Sequence, residues 1–249
     1  MGTIDLVACD DEERSPQKPL LITQRRRTLL VAAVAVVIAA SMGVRYAGDS
    51  HPAWLDQIAI SVARQWLPMP RGLAMVIIDM YDPVPLTIVI VVLAGVCWAL
   101  NRRRLAVLAV AGPVVTGLIT IIAKPVIERT KNGDLTYPSG HMGSAVSIAV
   151  VVSLLLVSVL GARGWVTAVA VLVPVVWGGA VGLAMTETNY HYWTDAVGGF
   201  CVAVAVVLGL AVLIDSRPWR RSTTEHAPEW QGEVDAIGHS NLGRNAPTP

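Results

Sequence analysis

Apolar positions along the chain fall into six long runs separated by short polar stretches. They are Thr28 to Val44, Val84 to Leu100, Leu105 to Ala123, Met142 to Leu160, Trp165 to Met185 and Ala196 to Ile214. Each holds about 17 to 21 residues, enough for a helix to cross a bilayer, and at this run length only a helix satisfies its own backbone in lipid. Ala53 to Leu67 reads differently. Leu55, Ile58, Ala59, Val62 and Trp66 share one helical stripe, whereas Asp56, Gln57, Ser61, Arg64 and Gln65 lie off it. That pattern predicts an amphipathic helix lying in the membrane interface. Pro68 and Pro70 end it, and Asp82-Pro83 reads as an N-cap followed by proline in the first turn of the second run. The expected fold class is therefore all-α: a polytopic bundle of six transmembrane helices with one outer interfacial helix. Residues 1–24 and 217–249 are polar and aperiodic, which predicts disordered tails around a single membrane domain over 25–216.

Composition supports a lipid solvent. The chain is 54% hydrophobic and only 15% charged, with mean hydropathy +0.57, against roughly 25% charged residues in ordinary soluble domains. A net charge of +1 gives no reason to expect a nucleic-acid partner. Cys9, Cys97 and Cys201 lack metal-ligand spacing, and the latter two fall inside apolar runs, so they read as small hydrophobes. The arginines are segregated. Arg25 to Arg27 precede the first run, Arg102 to Arg104 separate the second from the third, Arg163 separates the fourth from the fifth, and Arg217, Arg220 and Arg221 follow the sixth. With six spans all four groups share one side, and the positive-inside rule makes that side, with both termini, cytoplasmic. A cleaved signal peptide is the rival reading of the first run; the five spans left would then have to keep the same charge logic.

Three polar segments remain for the opposite, outer face, and each carries candidate chemistry. "KPVIERTK" places Lys124, Arg129 and Lys131 there, in a chain with three lysines and sixteen arginines. Interfacial basic residues contacting lipid headgroups are the plainer reading. In "YPSGHMGSA", Ser139 is placed to cap the fourth span, Gly140 lets another backbone approach, and free N–H groups at a helix start favour an anion. His141 follows in the first turn, where it is able to donate a proton; a plain serine cap beside an interfacial histidine is the alternative. In "TETNYHYWTDAVGG", His191 and Asp195 stand four apart, hence on one helical face. An aspartate accepting from one imidazole nitrogen leaves the other free to attack, although such a pair also occurs as a casual contact at a helix N-terminus.

Taken in order on one face, a Lys/Arg cluster, P-S-G-H and H-x-x-x-D resemble the type-2 phosphatidic acid phosphatase superfamily, the membrane branch related to vanadium haloperoxidases. The resemblance covers roughly residues 53–214. It implies metal-independent hydrolysis of a lipid phosphate or diphosphate, polyprenyl or glycerolipid, at the outer face of the plasma membrane, with no cofactor and no metal. It further implies that His191 is the nucleophile, forming a phosphohistidine, that Asp195 orients it, and that His141 is the general acid. Lys124, Arg129, Lys131, Ser139 and Gly140 would hold the phosphoryl oxygens. One departure stands out. The third motif of that family opens with Ser-Arg, and here Ala184 and Met185 occupy those positions. A charged hydrogen bond is worth roughly 1.5 to 3 kcal/mol, so its loss would cost about tenfold to a hundredfold in rate unless Thr186, Thr188 and Asn189 in the same loop take its place. The alternative is a weakly active or inactive lipid-phosphate-binding protein. A transporter is disfavoured, because the spans carry almost no mid-span acidic residues.

Overall fold

The structure is a computed structural model and describes residues 24–216; both predicted tails, with Cys9 and the arginines after the sixth run, lie outside the described residues. Eight helices are described: α1 (Arg25–Arg45), α2 (Trp54–Trp66), α3 (Arg71–Asp79), α4 (Pro83–Ala99), α5 (Arg103–Ile127), α6 (Gly140–Leu160), α7 (Gly164–Glu187) and α8 (Trp193–Ser216). A two-residue antiparallel hairpin, β1 (Thr130–Lys131) and β2 (Asp134–Leu135), links α5 to α6. Five of the described helices are long and apolar enough to span a membrane; α3 and α4 pass the same test only as a pair bent by 63°, the geometry of a broken span or a re-entrant loop. The chain is a membrane protein with an all-helical spanning core.

The six expected runs correspond to α1 and α4 to α8, but α3 was not foreseen. It is nine residues long, begins behind Pro70 and packs against α7. Asp82 does stand at the N-cap of α4, with proline in the first turn, yet its side chain makes no capping bond. Ser139 behaves as expected: its hydroxyl accepts from the Met142 N–H and caps α6.

Helix α6 is the axis of the bundle, in contact with α5, α7 and α8. Ala145, Val146, Val150 and Val151 on α6, Leu105, Leu108 and Ala109 on α5, and Ala203, Val207 and Ala211 on α8 form one buried apolar cluster. Cys97 and Cys201 are buried free thiols, consistent with their reading as small hydrophobes. Close approach of α6 and α8 needs glycine at Gly199, where a Cβ would run into the Ser139 carbonyl. Leu30, Val34, Val37 and Val44 on α1 remain exposed because their partner is lipid rather than protein.

Helix α2 is amphipathic, as its stripe predicts, but its protein-facing side is small. Only Asp56 and Ala63 are buried, whereas Trp54, Ile58, Val62 and Trp66 are exposed. In an aqueous protein this would be inside out. For a helix seated in an interface it is the expected arrangement.

Candidate active site

The motifs meet at one end of the bundle, where α5 and α7 finish and α4, α6 and α8 begin. A cavity of about 1070 Å³ lies there, and its wall includes Lys124, Lys131, Gly140, His141 and His191. The His141 and His191 ring centroids lie 6.3 Å apart with the rings tilted by 58°, and the Tyr190 ring completes a triangle with them, 5.4 Å from the first and 5.8 Å from the second. The local reasons are legible. The Ser139 cap starts α6 so that Gly140 and His141 occupy its first turn and line the cavity, where first-turn N–H groups lack intrahelical acceptors. His191 directly precedes α8, whose first turn carries Asp195.

His191 is 6% exposed, and its Nδ1 lies 3.8 Å from Asp195 Oδ2, too long for a hydrogen bond. That nitrogen has no hydrogen-bond partner. Asp195 is fully buried and otherwise engaged: Oδ2 accepts from the Tyr192 N–H at 3.1 Å, and Oδ1 from Arg129 Nη1 at 2.6 Å. His141 Nε2 lies 3.6 Å from Asp82 Oδ1. Asp82, at the bend between α3 and α4, also lines the cavity. The Tyr81 hydroxyl beside it accepts from the Trp177 indole of α7, which fixes that bend.

The basic residues divide. Lys124, in the last turn of α5, and Lys131, on β1, both line the cavity. Lys131 Nζ donates to the His191 carbonyl at 2.9 Å and lies 4.6 Å from the Tyr192 ring centroid. Burial pushes its ammonium below the ordinary lysine range, partly opposed by the charges of Asp195 and Asp56. Arg129 does not reach the cavity, contrary to expectation. It is fully buried behind the segment from His191 to Asp195 and donates to Asp195, Thr194 and Asp56. The reason is local. Glu128, left-handed at φ 56°, ends α5, and the turn sends the next side chain inward. Ser139 also lies outside the cavity wall; its hydroxyl is buried and donates to Met185 Sδ at 3.6 Å.

Met185 is 1% exposed and belongs to the apolar core, so no cation stands at that position. Thr188 and Asn189 line the cavity, as do Asn132, Asp134 and Thr136 of the hairpin region. Thr186 instead donates back to the Gly182 carbonyl within α7. Among the described residues, no group of three or more His, Cys, Asp or Glu side chains is arranged to hold a metal ion.

Sequence reasoning passed over two residues of the site, Asp56 and Asp82. Asp56 comes from α2 and is fully buried; it accepts from Arg129 Nη2 at 3.0 Å and from the Thr194 N–H and hydroxyl, each at 2.8 Å. An acidic residue on the polar face of an amphipathic helix looks like a solvated one, and only its i−3 bond from the Ala53 N–H is local.

A family model described as the PAP2 superfamily matches residues 123–219. No curated protein matches the chain in sequence. Among solved structures, the fold is similar to a transmembrane PAP2 type phosphatidylglycerolphosphate phosphatase from Bacillus subtilis, with TM-score 0.54 and 18% identity, covering 78% of this chain and 98% of that one.

Proposed function

We propose that this chain, which a PAP2 superfamily model matches over residues 123–219, is a membrane phosphatase acting on lipid phosphates and works through a phosphohistidine on the outer face of the plasma membrane. The observation that carries the mechanism is the pair of imidazoles 6.3 Å apart across a cavity that Lys124 and Lys131 also line. A phosphoryl group fits between two such rings with its oxygens against the two ammonium groups.

In the first step His191 Nε2 forms a bond to phosphorus and the P–O bond to the lipid breaks. His141 gives its proton to the departing oxygen. Asp195 stabilises the imidazolium that forms, as its carboxylate needs to move only about 1 Å to reach hydrogen-bond distance from Nδ1. In the second step His141 takes a proton from water, the oxygen attacks phosphorus, and the P–N bond breaks to release phosphate. Lys124, Lys131, the Gly140 N–H and the start of α6 neutralise the equatorial oxygens, which is the main electrostatic burden of phosphoryl transfer. Arg129 and Ser139 act behind this layer. Arg129 holds Asp195, and Ser139 caps the helix that presents His141.

The outer-face assignment rests on charge. Arg25 opens α1, Arg102 to Arg104 join α4 to α5, and Arg163 joins α6 to α7, all at the end of the bundle away from the cavity. Two of these arginines are tied into that end, Arg102 by a bond to the Ser158 carbonyl and Arg104 by an ion pair with Asp215. Met185 favours a second reading, a protein that binds lipid phosphate without turning it over. One experiment separates the two. Brief exposure to a 32P-labelled lipid phosphate with EDTA present should label the wild type, and His191→Ala should abolish both label and phosphate release. An unlabelled wild type that still binds the lipid supports the second reading.

A further inference from the structure

We propose that Asp56, from the interfacial helix, is a positioning residue of the site: it anchors and partly neutralises Arg129, so that Arg129 holds Asp195 without cancelling the negative charge that Asp195 offers to His191. This rests on His191 as nucleophile. The geometry behind it is unusually closed. The Arg129 guanidinium carbon lies 4.4 Å from the Tyr46 ring centroid and 4.6 Å from that of Tyr192, within cation–π reach of both rings. Its edges meet Asp195 Oδ1 at 2.6 Å and Asp56 Oδ2 at 3.0 Å, with zero exposure on all three side chains.

A nucleophilic histidine needs a neutral ring before attack and a stabilised cation after it. A lone buried carboxylate beside the ring would favour the protonated, unreactive form. Arg129 offsets that pull by sharing Asp195. A buried guanidinium held by one carboxylate that also serves a histidine is itself only partly satisfied; Asp56 adds a second carboxylate at Nη2, while Nε has no hydrogen-bond partner. Asp56 does a second thing. By accepting from the Thr194 N–H it fills the N-terminal bonding of α8 from a different helix, and so fixes the turn that carries both His191 and Asp195. Without α2 docked in this way, Arg129 loses one of its two carboxylates and the start of α8 loses its cap.

The test reads the titration of His191 itself. The groups nearest that ring are Asp195, four residues on, His141 from α6, and Tyr190; Lys124 from α5, Lys131 and Asp134 from the hairpin, and Asp82 from the α3–α4 bend line the same cavity, and the variants change none of them. The imidazole Cε1–H resonance of His191, assigned by its loss in His191→Gln, is followed against pH in micelles for the full-length chain. Asp56→Asn removes one negative charge and should lower the midpoint, whereas Arg129→Met removes the positive charge and should raise it. Asp56→Asn combined with Arg129→Met removes both and should return the midpoint to between those of the single variants. Midpoints coinciding with wild type, or moving the same way in both singles, would overturn the proposal. Should Asp56→Asn fail to fold, Arg129→Met and the double variant carry the test, because exchanging a whole buried pair is far milder than breaking one. A midpoint that stays where Arg129→Met puts it then overturns the idea. Failure of the underlying reading looks different: His191→Ala would still release phosphate, whatever the titrations show.

Discussion

Replacing Met185 by arginine restores the residue type that the PAP2 resemblance expects, and the structure argues that it should not help. The Met185 side chain is 1% exposed, shares the apolar core with Met142, Val146 and Val181, and receives the Ser139 hydroxyl at 3.6 Å on its sulfur. The gain on offer is one charged hydrogen bond to a phosphoryl oxygen, roughly 1.5 to 3 kcal/mol, or about tenfold to a hundredfold in rate. Against it stands the burial of a guanidinium where the core offers a hydroxyl and apolar side chains, an effective penalty of several kcal/mol. Overpacking beside the Ser139 cap adds about 1 to 3 kcal/mol. The cost exceeds the gain. Met185→Arg should therefore melt well below wild type in detergent and show kcat/KM no higher than wild type, whereas Met185→Leu should keep turnover within about threefold, since volume-conserving swaps cost under about 1.5 kcal/mol. Phosphate release from dioctanoyl phosphatidic acid and farnesyl diphosphate in mixed micelles, with thermal melting of the same preparations, makes the comparison. A Met185→Arg enzyme that turns over tenfold faster at an unchanged melting temperature would refute this reasoning and show that the site is short of a cation.

The two kinds of basic residue should separate by what they damage. Arg129→Ala strands two buried carboxylates and should cost about 3 to 5 kcal/mol of stability by detergent melting or denaturant titration, whereas Lys124→Ala should leave stability within about 0.5 kcal/mol and raise KM. Comparable stability losses in the two would contradict the placement of Arg129 behind the cavity. Gly199→Ala drives a methyl group into the Ser139 carbonyl, so expression of folded protein and activity should fall together. A normally active Gly199→Ala enzyme would show that α6 and α8 are spaced more loosely than described. Lys131 loses its proton at lower pH than a solvent-exposed lysine, because burial disfavours its charged form. KM should accordingly rise on the alkaline side before ordinary lysines titrate, and Lys131→Arg should move that rise to higher pH. An unmoved KM profile would remove Lys131 from phosphate binding.

Most of the scaffold was legible because bilayer thickness is a hard ruler: α1 and α5 to α8 follow directly from run length. Helix α3 escaped because nine residues behind a proline carry too little periodicity to register. The meeting of His141 and His191 followed from the order of segments on one membrane face. The division between Lys124 and Arg129 did not. Both are basic and five residues apart in one segment, and their opposite fates are decided by the left-handed turn at Glu128, which has no glycine to announce it. Asp56 was hidden for another reason. Hydrophobic patterning assumes that the apolar side of a helix faces protein, and α2 reverses this because its apolar side has lipid to face.

The pairing of α1 with α8 also sets an order of assembly. Tyr46 and the segment after it, which are synthesised early, close around Arg129 only when Tyr192 and Asp195 arrive from the last helix; the Ser50 carbonyl likewise waits for the Tyr192 hydroxyl, 142 residues later. Until the final span leaves the translocation machinery, Arg129 is a cation missing one of its carboxylates, and α1 is a helix missing the neighbour it packs along. Such long-range closure is slow to form, and here it falls at the end of synthesis. The protein acquires the proposed nucleophile His191 and the contacts that restrain it in the same event, so a nascent chain halted before His191 holds neither.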